Sequence, residues 1–350
     1  MKRTILSAAA LLLLFLTGCG QPANDPEQDS FRTADVFAMD TYMNLKAYGS
    51  HADEALQAAQ ERIAGLEQML SVTNSGSEVY AINHANGKPI SVSPETAAIL
   101  ETARQVRMES NGALCISLYP LLKAWGFTTD SLQVPSDETI AAELRRADDD
   151  RIRLIDGELT LPEGMEIDLG ALAKGYTGDA VIEEMRKCGV TSAIISLGGN
   201  VQALGGKPEG DALEPWSVGI TNPFAPDTNF GIVQVQDQAV VTSGNYERFF
   251  KDDDGNLYWH ILDPEDGRPA DNGLVSVTVI GSSGLRCDAL STALFVEGTE
   301  RAEEHWRAAG DFEMVLVTSD AKVLVSEGIA DAFTSTSDLP YEVLHYDEKA

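Results

Sequence analysis

The chain has 350 residues, an ordinary apolar share of 43% and a formal charge of −30. A surface this acidic, with no Lys/Arg-rich stripe to offset it, repels nucleic acid and anionic lipid, so a nucleic-acid partner is excluded. A phosphorylated ligand would need a cation or backbone amides to meet it.

In chain order, residues 1–19 begin with Lys2 and Arg3, run through an apolar stretch over 8–16, and close on Leu16-Thr17-Gly18-Cys19. The stretch is too short to span a bilayer and has the layout of an export signal. Its ending resembles a bacterial lipobox, in which Cys19 is lipidated; an ordinary secretory signal cleaved nearby is the other reading. Several acyl chains anchor a protein durably. The expectation is a signal peptide over 1–18, a lipidated Cys19 with a polar tether carrying Pro22 and Pro26 over 19–31, and one folded domain over 32–350. The domain would sit on the extracytoplasmic face of the cell membrane. Nothing in composition marks a second boundary, and there is no internal repeat.

Leu56, Ala59, Ile63, Leu66 and Leu70 recur at helical spacing and predict a helix over 52–70. Ser93-Pro94 opens a second helix and Ser136 a third over 137–147, each with a capping residue in place. Further helices are expected over 171–187 and 299–309. Strands are expected over 193–197, 216–220, 232–241, 258–262, 274–281, 314–318 and 322–326. Because the strands cluster late rather than alternating with helices, the fold class is α+β, with helices packed on one side of a mainly antiparallel sheet. Cys115, Cys188 and Cys287 follow the leader; an odd number without CxxC spacing predicts free thiols, not a disulfide framework or a zinc site.

Five short stretches hold the chemistry: IDLGALAKGY (167–176), LGGN (197–200), TSGNYERF (242–249), HILDPEDGRP (260–269) and CDALST (287–292). Asp288 and Thr292 are four apart, so in a helix both face one way, and a carboxylate with a hydroxyl suits a hard cation such as magnesium. The same spacing fits a helix start with Asp288 as its cap. Asp168 and Lys174 flank Gly170 and Gly175 where a strand turns into a helix, which suits an anion at the helix N-terminus or merely a tight turn. The LGGN and TSGN segments follow apolar runs and either border a pocket or only turn the chain. His260 can accept a proton near neutral pH and is the candidate general base, although strand histidines are commonly structural.

With FAMDT (37–41), LSVTNSGSEVYAIN (70–83) and GALCISLYPLLKAWGF (112–127), eight blocks in order resemble the ApbE family of bacterial FAD:protein FMN transferases. The resemblance runs from about Phe37 to Val325 and implies a single ApbE-like (T-fold-like) α+β domain. It implies that Met39, Asp168 and Lys174 contact FAD, that Thr73, Ala113, Leu114 and Cys115 line the dinucleotide site, and that Leu262 adds a backbone contact. It also implies Mg2+ held by Asp288, Thr292 and the carbonyl of Ala171. Cys115 stands where the family usually has Asp, Ser117 replaces a frequent Thr, Tyr119 a frequent Gly, and Thr73 an aromatic residue. A thiol is a weak acceptor, so a side-chain contact to the nucleotide at 115 is expected to weaken.

The implied reaction is transfer of FMN from FAD to a threonine hydroxyl of an acceptor flavoprotein, with AMP released, His260 as base and Asp288 holding the catalytic cation. A magnesium-dependent FAD pyrophosphatase and a non-catalytic FAD-binding lipoprotein are the other readings of the same residues.

Overall fold

The computed structural model describes residues 30–346 except Asp130 and Asp211. The expected signal peptide, Cys19 and nearly all of the expected tether lie outside the described residues.

Among the described residues, nine strands form one sheet whose spatial order is the chain order. They are β1 (Phe31–Ala38), β2 (Thr41–Tyr48), β3 (Ala193–Leu197), β4 (Asn200–Leu204), β5 (Ala239–Gly244), β6 (Leu274–Gly281), β7 (Glu313–Thr318), β8 (Val323–Ser326) and β9 (Tyr341–Leu344). Every neighbouring pair is antiparallel except β8 with β9. The helices are α1 (Ala52–Leu70), α2 (Glu78–Asn83), α3 (Pro94–Glu109), α4 (Tyr119–Trp125), α5 (Asp137–Leu144), α6 (Gly170–Lys187) and α7 (Gly284–Ala309).

Helix α1 buries the expected stripe against β1–β3 and α6. Ile63 and Leu66 are fully buried, each worth about 1.5–3 kcal/mol by loss of apolar surface to water. Ser93 and Ser136 cap α3 and α5 as expected, accepting from Thr96 N at 3.1 Å and Thr139 N at 3.2 Å. A larger cluster packs α3 and α7 on β5–β7. Helices therefore cover one face of the sheet. The other face is covered by a three-stranded sheet, Trp216–Thr221, Asn229–Val235 and Phe333–Ser335, whose Val, Ile, Phe and Trp side chains meet Val240, Ile280, Val315 and Val325.

Three of the expected elements come out differently, and the β1–β2 hairpin was not expected at all. The run 232–241 is two strands in two sheets, divided by a polar turn in which Asp237 takes φ 52° and accepts from Gly205 N at 2.8 Å. The stretch 258–262 forms a strand only over Leu257–Trp259, and the chain then enters a loop closed by a Leu262–Pro269 bridge. The helix expected to begin at Thr299 is the second half of α7, which starts at Gly284 and kinks where Gly298 takes φ 76°, ψ 177°. No helix among the described residues is long and apolar enough to cross a membrane.

Candidate functional site

Register places three turns at one end of the sheet. Met43 pairs Leu197, Leu197 pairs Asn200, and Asn200 pairs Val241, so the β1–β2 turn, the β3–β4 turn and the end of β5 lie side by side. The first turn is Met39-Asp40, two non-glycine residues at φ 51° and 58°, a conformation such residues adopt at a cost. It is held from outside: Met39 N–H donates to Glu67 of α1 at 2.7 Å, and Asp40 accepts from Arg248 at 3.0 Å. Met39 Sδ also lies 3.6 Å from Thr177 Oγ1 on α6.

Helix α6 enters from below. Asn83 pins the residue pair before it, accepting from Ile167 N and donating to Ile167 O, both at 2.8 Å. Asp168 then turns back to accept from Gly170 N at 2.7 Å, and its own N–H donates to Ile116 O at 2.8 Å. Burial pushes the Asp168 carboxyl above the usual range, opposed by the Gly170 amide, Arg248 and Lys174. Lys174 has no ion-pair partner among the described residues, while its charge is felt at Asp168, Glu247 and His260.

Helix α7 crosses α6 where glycine meets glycine: a Cβ on Gly175 would overlap the Gly284 carbonyl and Asp288 Cβ. Ser283, not Asp288, caps α7, which removes the reading of Asp288 as a helix cap. Asp288 is 3% exposed, and its Oδ2 accepts from Gly175 N at 2.8 Å. In a regular helix that N–H would serve the carbonyl of Ala171, four residues back. Ser291 Oγ donates to Asp288 O at 2.8 Å, and Ser243 Oγ at the end of β5 lies 2.8 Å from Ser291 Oγ and 3.4 Å from Thr292 Oγ1. Among the described residues no group of three or more His, Cys, Asp or Glu could hold a metal, so a cation here would rest on one carboxylate with hydroxyl and carbonyl oxygens.

His260 lies beside this group, half-buried, with Nδ1 at 3.3 Å from Arg248 O and its ring edge-on to Phe127. With the proton on Nδ1 that carbonyl is satisfied and Nε2 keeps its lone pair. Burial, then the charges of Arg248 and Lys174, push the imidazole down to about 4, so it is uncharged at neutral pH. The loop that follows is fastened by Trp125 Nε1, which donates to Gly267 O at 2.9 Å.

Met39, Asp168, Ala171, Lys174, His260, Asp288 and Thr292 thus converge. Ala113 and Leu114 turn their side chains into the core, and Leu262 packs with Leu118, Leu121, Trp125 and Ile140, which leaves backbone contacts for all three. Thr73 sits in the exposed turn after α1; its hydroxyl and N–H bond only to Ser71 among the described residues, 3.3 Å in each case. Cys115 Sγ lies 3.4 Å from Asp149 Oδ1, and burial, reinforced by Asp149, pushes the thiol up to about 12. The carboxylate also accepts from Ile116 N at 2.8 Å and Ser117 N at 3.0 Å. A charged acceptor is therefore present at the turn that Cys115 alone lacked.

Sequence reasoning missed Asp149, Arg248 and Glu247. Glu247 lies at the mouth of the site, and desolvation, with Asp288 adding to it, pushes it up to about 7 against Lys174 and Arg248. The motif TSGNYERF contained two of the three, but nothing in its spacing showed that Glu247 faces Lys174 of α6 and Asp288 of α7, or that Arg248 reaches the β1–β2 turn at Asp40.

A model of the ApbE family matches residues 39–316. An FAD:protein FMN transferase of Klebsiella pneumoniae is 35% identical over 81% of this chain and 87% of its own length, and one of Treponema pallidum is 31% identical over 92% and 93%. Among solved structures, the ApbE protein of Thermotoga maritima superposes with a TM-score of 0.80 at 28% identity, covering 87% of this chain and 99% of that one. The apo flavinyl transferase ApbE of Pseudomonas stutzeri gives 0.74 at 28% identity, covering 84% and 93%. With its fold, its ordered motifs and these relatives in agreement, the chain belongs to the ApbE family.

Proposed function

We propose that this protein transfers FMN from FAD to a threonine hydroxyl of an acceptor protein, releasing AMP, with magnesium as the required cation. Relatives that carry the name FAD:protein FMN transferase support the substrate and the reaction class. The observation that carries the reading is the meeting of an uncharged His260, a Lys174 with no ion-pair partner among the described residues and a buried Asp288 with two hydroxyls at one end of the sheet.

The donors fit magnesium. Asp288 keeps one oxygen free of the Gly175 amide, Thr292 offers its hydroxyl, and the Ala171 carbonyl is the one that a regular helix would set against that same amide. Such a set leaves places for water and phosphate oxygens, as a hard, strongly hydrated ion requires. Once bound, the ion would supply charge neutralisation at the diphosphate.

The remaining work falls to the chain. Met39, Asp168 and the backbone at 113–115 and 262 orient the dinucleotide, and Lys174 places a fixed positive charge beside it. His260 Nε2 takes the proton of the threonine hydroxyl as that oxygen bonds to the FMN-side phosphorus. The bond from this phosphorus to the bridging oxygen breaks, and AMP leaves with the electron pair.

The test is to incubate the protein with FAD, Mg2+ and an acceptor domain and to measure intact mass. An FMN-sized addition to the acceptor, mapped to a threonine, is expected. Free FMN and AMP with an unmodified acceptor would replace the reading with a pyrophosphatase, and intact FAD with a binding protein.

A further inference from the structure

Asp179, which no motif singled out, lies one turn after Gly175 on the same face of α6. Its Oδ1 accepts from Gly284 N at 2.8 Å and from the Gln202 amide; its Oδ2 accepts from Leu285 N and Ser283 Oγ, both at 3.0 Å. It thereby takes two of the N–H groups that open α7 and sets a negative charge at that helix end. The arrangement is reciprocal. Where α6 and α7 cross, Asp179 of α6 takes the amide of Gly284, and Asp288 of α7, one turn beyond Gly284, takes the amide of Gly175. Between these two ties the backbones touch, with no room for a Cβ on either glycine.

We infer that Asp179 is a positioning residue for the cation: by clamping the first turn of α7 to α6, it fixes how far α7 slides along α6 and so holds Asp288 opposite the Ala171 carbonyl. This rests on the reading of Asp288, Thr292 and Ala171 as the magnesium donors. Asp179 itself contacts neither cation nor substrate. Outer partners that orient a metal ligand typically change affinity by about 10- to 100-fold when altered.

The experiment uses the full-length protein, titrated with Mn2+ in the presence of ADP, which supplies a diphosphate but no flavin to transfer; free Mn2+ is read by electron paramagnetic resonance. Metal-free thermal unfolding is recorded in parallel. Asp179→Asn keeps the side-chain volume but turns an N–H group toward other donors, and is expected to weaken Mn2+ binding about tenfold or more. Asp179→Thr, which keeps one acceptor oxygen, should move in the same direction. Ser283→Ala removes the α7 cap and one hydroxyl donor to Asp179 while leaving both amide bonds that clamp α7, and should lower the unfolding temperature with Mn2+ affinity held within about twofold. Affinity that falls in proportion to unfolding temperature across all three variants, or that stays at the wild-type value in both Asp179 variants, would overturn the inference while leaving the cation reading intact. A wild-type protein that binds no Mn2+ would overturn both.

Discussion

His260 and Cys115 show how far a residue's neighbours change its chemistry. A solvent-exposed histidine titrates near 6.5, but His260 is held down to about 4, so its basic form persists throughout the neutral range. The sign follows directly: the base is lost only as pH falls through about 4, so the transfer rate should be flat from pH 6 to 8 as far as this group governs it. His260→Gln should lower turnover by roughly a hundredfold or more with FAD affinity nearly unchanged, which initial rates and a flavin-binding titration would check. Retention of wild-type turnover would remove His260 from the mechanism. Cys115, pushed up to about 12, should resist alkylation at pH 8 in the folded protein. Cys115→Asp would not improve the site: the new carboxylate would face Asp149 across about the present 3.4 Å, and like charges so close should lower stability by roughly 1–3 kcal/mol, read as a fall in unfolding temperature. The sequence displayed the departure at 115 but not its compensation, because Asp149 arrives from a segment that carries no motif.

At the scale of elements, periodicity and caps located α1, α3 and α5 because each has a strong local signal, an apolar stripe or a serine at the right place. The β1–β2 hairpin was missed for an equally local reason. Its turn residues, Met39 and Asp40, adopt positive φ without the Asn-Gly or Asp-Gly pair that announces such turns. Helix α7 was seen in two pieces, a helical turn or helix start at Asp288 and a separate helix from Thr299, because Gly298 divides the pattern and the cap at Ser283 was not recognised. The contact of α6 with α7 was invisible in the sequence, although its two glycines lay in view. Gly175→Ala should force the helices apart at Gly284 and Asp288, with a loss of about 1–3 kcal/mol by thermal unfolding and a weaker response to Mg2+. An alanine variant as stable and as magnesium-responsive as the wild type would mean the crossing is looser than its geometry states.

For the molecule as a whole, the order of the strands explains why a site exists where it does. A sheet that follows chain order brings the turns of the β1–β2 and β3–β4 hairpins and the end of β5 to one end, and two helices approach that end from a single face. The α+β class was legible from the late clustering of strands, and the eight ordered blocks carried the family; the covering three-stranded sheet was not legible, because Phe333–Ser335 joins it from the far end of the chain. We also propose that the domain works outside the cytoplasm on a lipid anchor at Cys19. Cys19→Ser should move the protein from the membrane fraction to the soluble extracytoplasmic fraction with its activity in solution intact, as fractionation and immunoblotting would record. The account as a whole stands on a cation held by Asp288 that makes the diphosphate of FAD cleavable. Its most direct measurement is the rate of AMP release from FAD and acceptor, with Mg2+, after exhaustive chelation, and in Asp288→Ala. The account predicts that release collapses in both of the latter and that added Mg2+ restores it only to the wild-type chain. Release that continues at the original rate without metal, or in Asp288→Ala, would contradict it.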